Sequence, residues 1–279
     1  MDRPSYFVLR TSYFVPNPQL SNNAPIMKEK DAYWLPILTV LVLLVVWHVG
    51  VRVSGTKIFP APVDVAEGVA ELFNKGFLLS YTRDSLMRVG VGYGLAIVVG
   101  IPVGLLLGWY PLAAAAGNPL IQMLRPISPL AWMPLAIVWF GISNVAPIFL
   151  IFIAAFFPVV VATMNGVRNV PIMYLQAGRN FGLAPAAMLW RVIFPAILPR
   201  ILTGLRLALG IAWLVVVAAE MIAVDSGLGY LIIDARNAGK RYDLVVAGMV
   251  LIGVIGLGLD ILVRRTEKMK TVRWGFRTE

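Results

Sequence analysis

Six apolar stretches separated by more polar segments run along the chain: Tyr33–Val53, Arg88–Gly108, Pro119–Phe140, Ala146–Gly166, Ile197–Val224 and Leu244–Val263. Each is close to or above the ~20 residues that cross a ~30 Å hydrocarbon core as a helix. The pattern predicts an all-α membrane protein with six transmembrane helices. The third stretch is broken by Pro126, Pro129 and Pro134, so it must bend or begin with an irregular piece packed against protein. Between the first two stretches, Pro62–Asn74 has a different period. Val65, Val69, Leu72 and Phe73 share a helical face, while Asp64, Glu67, Glu71 and Asn74 lie elsewhere. Pro62 suits a first turn and Gly76 a stop, so an amphipathic helix on the outer face is expected there.

Small residues add a packing signal. Gly92, Ala96, Gly100, Gly104 and Gly108 recur every four residues, a spacing that lets two helix backbones come close. Packing within the chain is the expected use, ahead of a seam between two copies. Composition agrees with burial in lipid: 59% of the 279 residues are hydrophobic and 14% are charged, against about 25% charged in a soluble domain. The 25 Gly, 19 Pro and 8 Trp fit the enrichment of these residues in and around membrane helices.

The net charge of +10 would suggest nucleic acid for a soluble protein, but here the basic residues flank apolar runs and no nucleic-acid partner is expected. They instead set orientation. With the N-terminus inside, 14 Lys and Arg fall on inner segments: four in the tail 1–31, four in the link after the fourth stretch (Arg168, Arg179, Arg191, Arg200) and six after Val263. Six fall outside: Lys57, Lys75, Arg83, Arg236, Lys240 and Arg241. Arg52, Arg88, Arg125 and Arg206 stand at or within span ends. Both termini are thus expected in the cytoplasm, with a tail 1–31, a membrane domain 32–266 and a tail 267–279. Residues 1–31 lack the apolar core and cleavage site of a signal peptide. Cysteine is absent, which excludes disulfides and thiol chemistry. His48 is the single histidine, so no metal site is expected.

The inner link, Val167–Pro195, is far longer than a turn requires, and long loops in compact proteins are functional or disordered. Its apolar content argues against disorder. Tyr174-Leu175-Gln176-Ala177-Gly178-Arg179-Asn180-Phe181-Gly182, then Ala186–Arg191, then Pro195 and Pro199, read as two short helices that turn at Gly182. Such a knob suits a partner's groove. The segment Gln176-Ala177-Gly178-x3-Gly182-x9-Val192-Ile193-Phe194-Pro195 resembles the Glu-Ala-Ala-x3-Gly-x9-Ile-x-Leu-Pro loop of binding-protein-dependent ABC importer permeases. Spacing is intact, and Gln176 replaces the acidic residue. Arg125–Pro134, Gly204-Leu205-Arg206, Ala212-Trp213, Ala218-Ala219-Glu220 and Gly227–Leu231 resemble the nitrate/sulfonate/taurine/bicarbonate subgroup, and the likeness covers 82–263.

The resemblance implies a type I importer permease that transports a small anion and works as a homodimer in the inner membrane. It also implies two cytoplasmic ATPase subunits docked on Tyr174, Leu175, Gln176, Ala177, Gly178, Gly182 and Pro195, an extracytoplasmic substrate-binding protein outside, and ATP and Mg held by the ATPase partners, with no cofactor on this chain. Consistently, the chain has no G-x-x-x-x-G-K-[ST] phosphate loop: Asp234 stands where the first Gly would precede Gly239-Lys240. Candidate path or gate residues are Glu220, Trp213, Arg206, Arg125, Gly227, Gly229 and Tyr230. A carboxylate at the depth of Glu220 costs about 2.5–3.5 kcal/mol to insert, so it must face a cavity or a partner. A structural bond to a neighbouring helix end competes with a path role. Arg125 and Arg206 are placed either to attract an anion or to reach headgroups. Asp260 is one turn from Arg264. Tyr230, in a Gly-rich outer loop, is either an outer gate or an interface anchor.

An intramembrane enzyme is excluded by the lack of a nucleophile–base pair or metal cluster. A self-sufficient secondary transporter or channel is the remaining alternative. It would leave the inner knob without a use, and no half-to-half repeat is visible.

Overall fold

The computed structural model describes residues 34–55 and 59–267 and is helical throughout. The expected tail 1–31, Lys57 and the C-terminal tail after Glu267 lie outside the described residues. The chain divides into a unit of residues 1–53, containing nearly all of α1 (Trp34–Ser54), and a unit of residues 54–279. α1 is 21 residues long with mean hydropathy 2.3, enough to cross a membrane.

The second unit contains α2 (Pro62–Asn74), α3 (Phe77–Trp109), α4 (Pro111–Leu124), a 3-10 turn (Pro129–Trp132), α5 (Met133–Phe140), α6 (Val145–Arg168), α7 (Ile172–Asn180), α8 (Pro185–Met188), a π turn (Leu189–Ile193), α9 (Phe194–Ala223), α10 (Leu228–Gly239) and α11 (Tyr242–Glu267). Among the described residues five helices are long and apolar enough to span, or six if the bent pair over Pro111–Leu124 and Pro129–Phe140 counts as one.

That pair bends as the prolines of the third stretch require, its two pieces meeting at 87°; the segment Pro111–Asn118, which the spacing of the apolar stretches leaves as an inner loop, is instead helical. At 1.5 Å per residue neither piece spans alone. Pro126 and Pro129 withhold the amide hydrogens that would continue the ladder, so the chain turns there.

α3 and α6 run parallel and form the tightest pair, through the four-residue stripe. A Cβ on Gly92 would lie 2.8 Å from Ile151 Cβ, on Gly104 2.6 Å from Thr163 Cβ and on Gly108 2.6 Å from Val167 Cβ. The stripe is therefore used within the chain. α9 runs antiparallel to α6, with Gly204 against Ala162 and Gly166 against Ile197. Ile151, Ala155, Val159, Ala208, Ala212 and Val216 fill the core between them. α11 returns antiparallel to α9, and Trp213 Nε1 donates to Ile252 O at 3.1 Å.

α2 has the bounds its sequence predicts, with Asp64 accepting from Ala61 N at 2.8 Å and Gly76 at φ 74° beyond its end. Its buried face is Val65, Gly68 and Leu72, and Gly68 lies against the start of α11. Phe73, expected on that face, is exposed. The helix that carries the fifth stretch is longer than the stretch itself: from Pro185 to Ala223 it is one helical run of 39 residues. Continuity holds because Phe194 N–H reaches back to Leu189 O, closing a wider π turn just before Pro195, which has no N–H to offer.

Candidate functional site

Two constellations stand at opposite ends of the second unit. The first is the link between α6 and α9. α7 ends in a Schellman cap: Leu183 N–H donates to Gly178 O at 3.1 Å and Gly182 N–H to Arg179 O at 2.9 Å, with Gly182 at φ 69°. The backbone reverses at the glycine that the sequence marks for it. Gly178 is buried because a side chain there would strike Met188, whose Sδ would be 2.6 Å from its Cβ. This contact seats α7 on α8. Leu175 packs inward beneath it. Tyr174, Gln176, Ala177, Gly182 and Pro195 face outward, and Phe181 is 85% exposed. Ile172, Met173 and Trp190 are exposed around them, so the knob presents an apolar surface.

The second constellation is polar and buried. Glu220, near the end of α9, and Arg88, on α3, have essentially no exposure, and Arg88 Nη1 lies 2.6 Å from Glu220 Oε1. Ser85 Oγ donates to Glu220 Oε2 at 2.8 Å, and Gly229 N–H, in the first turn of α10, donates to the same oxygen at 3.0 Å. The other guanidinium hydrogens go to Asn144 Oδ1 at 2.9 and 2.7 Å, to Ser226 O at 2.8 Å and to Ser226 Oγ. Ser85 Oγ in turn accepts from Leu228 N–H at 3.0 Å. The node joins α3, the α6 N-terminus, the end of α9 and the α10 N-terminus. Its charges are paired and bonded, the condition under which buried ions are tolerated.

Gly227 and Gly229 belong to this node. A Cβ on Gly227 would lie 2.3 Å from Glu220 Cδ, and one on Gly229 would lie 2.2 Å from Val217 O. The expected Gly-rich loop is in fact a helix start, with Gly227 at φ 105° capping α10. Tyr230 follows in its first turn, edge-on to Tyr81 with ring centroids 6.3 Å apart. Its hydroxyl is held above its ordinary pKa, chiefly by the charge of Asp234.

The other path candidates are dispersed. Trp213 is in the core between α9 and α11. Arg206 forms a two-point pair with Asp260, Nε to Oδ1 at 2.6 Å and Nη2 to Oδ2 at 3.3 Å. Arg264, the expected partner, also reaches Asp260 at 2.9 Å. Arg125 is at the end of α4 and exposed. Arg88 is the functional-site residue that sequence reasoning missed. The signal was a second charge within apolar sequence, opposite in sign to Glu220.

Residues 96–270 match the family model described as "Binding-protein-dependent transport system inner membrane component". The chain belongs to this family. A protein named as an ABC transporter permease in Methanocaldococcus jannaschii is 45% identical over 197 residues, covering 70% of this chain and 73% of the relative. The taurine transport system permease protein TauC of Escherichia coli is 35% identical, covering 85% and 88%. The nitrate import permease protein NrtB of a Synechocystis strain is 36% identical, covering 84% and 88%. A chain of the MetNI methionine ABC transporter, solved in inward-facing conformations, superposes with a TM-score of 0.54 at 20% identity, covering 65% of this chain and 92% of that one. The fold is that of a type I ABC importer permease, in the group of nitrate, sulfonate and taurine permeases, and the protein is a multi-pass transport subunit rather than an enzyme.

Proposed function

We propose that the chain is the permease subunit of an ABC importer that carries a small anion, such as nitrate, bicarbonate, taurine or another sulfonate, across the inner membrane. Two copies would enclose the path. Two cytoplasmic ATPase subunits, holding ATP and Mg, would grip the α7–α8 knob on each copy, and an extracytoplasmic binding protein would deliver solute at the α10 end. Both termini would be cytoplasmic.

The supporting observation is the knob itself: a Gly182-capped helix pair, continuous with α9, that offers Ile172, Met173, Phe181 and Trp190 to a partner. A self-sufficient transporter has no use for that surface. The test is uptake into proteoliposomes containing this chain, its cognate ATPase and its binding protein. ATP-dependent accumulation of labelled nitrate, bicarbonate or taurine is expected. Accumulation that persists without the ATPase would refute the importer reading.

A further inference from the structure

α4 and α6 enclose a groove unlike the rest of the apolar bundle. A cavity of about 500 Å³ is lined by Asn118, Gln122, Arg125, Asn165 and Arg168, among others, and a second of about 780 Å³ adjoins it, sharing Asn118, Gln122 and Arg168. The placement follows from helical periodicity. Asn118, Gln122 and Arg125 stand at i, i+4 and i+7 on α4, and Asn165 and Arg168 at i and i+3 on α6, so each set occupies one face. Among the described residues no Asp or Glu lines either cavity. Four other arginines of the second unit stand against carboxylates: Arg88 against Glu220, Arg206 and Arg264 against Asp260, and Arg241 against Glu71 and Asp243. Two guanidiniums with three neutral amides, and no carboxylate among the lining residues, supply hydrogen-bond donors and net positive charge suited to a compact anion with several oxygens.

We propose that Arg125 and Arg168, with Asn118, Gln122 and Asn165, form a binding site for an oxyanion. As a way station for the transported solute the site rests on the anion-importer reading, whereas its affinity for oxyanions does not. Arg168 closes α6 with three residues between it and α7, so the groove adjoins the knob. The same chemistry would hold a small dissolved anion or a lipid phosphate headgroup.

The chain has no cysteine, so Gln122→Cys places a single thiol in the groove. The full-length variant, in nanodiscs of neutral phosphatidylcholine, is modified by a methanethiosulfonate carrying ethylsulfonate and by one carrying ethyltrimethylammonium. The anion-to-cation rate ratio is expected to fall about tenfold when Arg125 and Arg168 are both changed to Gln, because a nearby unit charge acts oppositely on the two reagents. Arg125→Lys with Arg168→Lys should restore it, which separates charge from misfolding. An unchanged ratio overturns the site. Slowing of modification by nitrate or methanesulfonate, beyond chloride at equal ionic strength, supports the site with a dissolved oxyanion as occupant. Slowing only by added phosphatidylglycerol supports it with a lipid headgroup as occupant. Protection by neither overturns it. If the ratio behaves as expected but the reconstituted importer carries a cation or neutral solute, the transport reading fails and the site stands.

Discussion

Arg88 cannot shed its proton, so its burial depends on Glu220. Changing Glu220 to Gln keeps the side chain's size but removes the one carboxylate bonded to the guanidinium among the described residues. Gln also offers one acceptor oxygen where Glu offers two, so its NH2 faces either Arg88 Nη1 or both Ser85 Oγ and Gly229 N–H in place of an acceptor. Breaking a buried pair from one side costs about 3–5 kcal/mol. Arg88→Gln should cost less, because a stranded carboxylate can take up a proton whereas a stranded guanidinium cannot lose one. The double variant, Arg88→Gln with Glu220→Gln, removes both charges and should be less unstable than the two single losses together, by about 1–3 kcal/mol. The measurement is unfolding of the full-length chain in mixed micelles of rising dodecyl sulfate content, followed by far-ultraviolet circular dichroism, for all four members of the cycle. Additivity within about 0.5 kcal/mol, or a Glu220→Gln variant as stable as the parent, would refute the view that this pair holds α3, α9 and α10 together.

On the stripe, Gly104→Ala should destabilise by about 1–3 kcal/mol, since its Cβ would lie 2.6 Å from Thr163 Cβ, while Gly90→Ala, which meets nothing within 4 Å, should be neutral or slightly stabilising; thermal melts of the two variants distinguish them. In the link, Gly182→Val forces a β-branched residue into φ 69° at a cost of roughly 1–3 kcal/mol; the chain should still insert while ATP-driven uptake is lost, and normal uptake would count against a coupling role. Outside the spans, Glu71 is bonded to Arg241 and Lys75, which lower its pKa from 4.5 to about 2. Its contribution to stability is therefore present at neutral pH and is lost as pH falls from the ordinary carboxylate range through about 2. A carboxyl-carbon NMR titration should find that low midpoint, and Arg241→Gln should raise it.

Elements specified by neighbouring residues were legible in the sequence. Pro62 and Gly76 bracket α2, Gly182 marks the reversal after α7, and the stripe from Gly92 to Gly108 identifies the close face of α3. What escaped depends on residues far apart in the chain. Arg88 looked like the polar edge of an apolar run because its partners, Asn144, Glu220 and Ser226, lie 56 to 138 positions away. The i+4 contact of Asp260 with Arg264 could be read locally, whereas its pair with Arg206, on another helix, could not. The prolines announced a break in the third span, but not its 87° angle, which follows from packing α5 against Ala146, Leu150 and Ala154 of α6. Gly227–Leu231 looked like a loop because two glycines weaken a helix. Here they open one: Gly227 caps α10, and Gly229 N–H, free in the first turn, donates to Glu220.

The two constellations share a single element. From Pro185 to Ala223 the chain is one helical run of 39 residues, about 58 Å at the usual rise, with the knob at one end and Glu220 at the other. Gly178 presses α7 onto Met188 inside that run, so force on the knob enters the helix directly. The close contacts of α9 with α6, and of α6 with α3, leave little room for sliding among the three, because packed glycine faces have no side chains to rearrange. Displacement of the knob must then either move α3, α6 and α9 as one body or be absorbed at the π turn over Leu189–Ile193, where the helical ladder is widest. The Arg88–Glu220 node fixes α10 to the first alternative. α10 hangs from Glu220 through Gly229 N–H and from Ser85 through Leu228 N–H, so it follows α3 and α9 rather than moving against them. Opening at that end would thus come from motion of the whole body relative to another part of the transporter, not from α10 swinging alone as a lid.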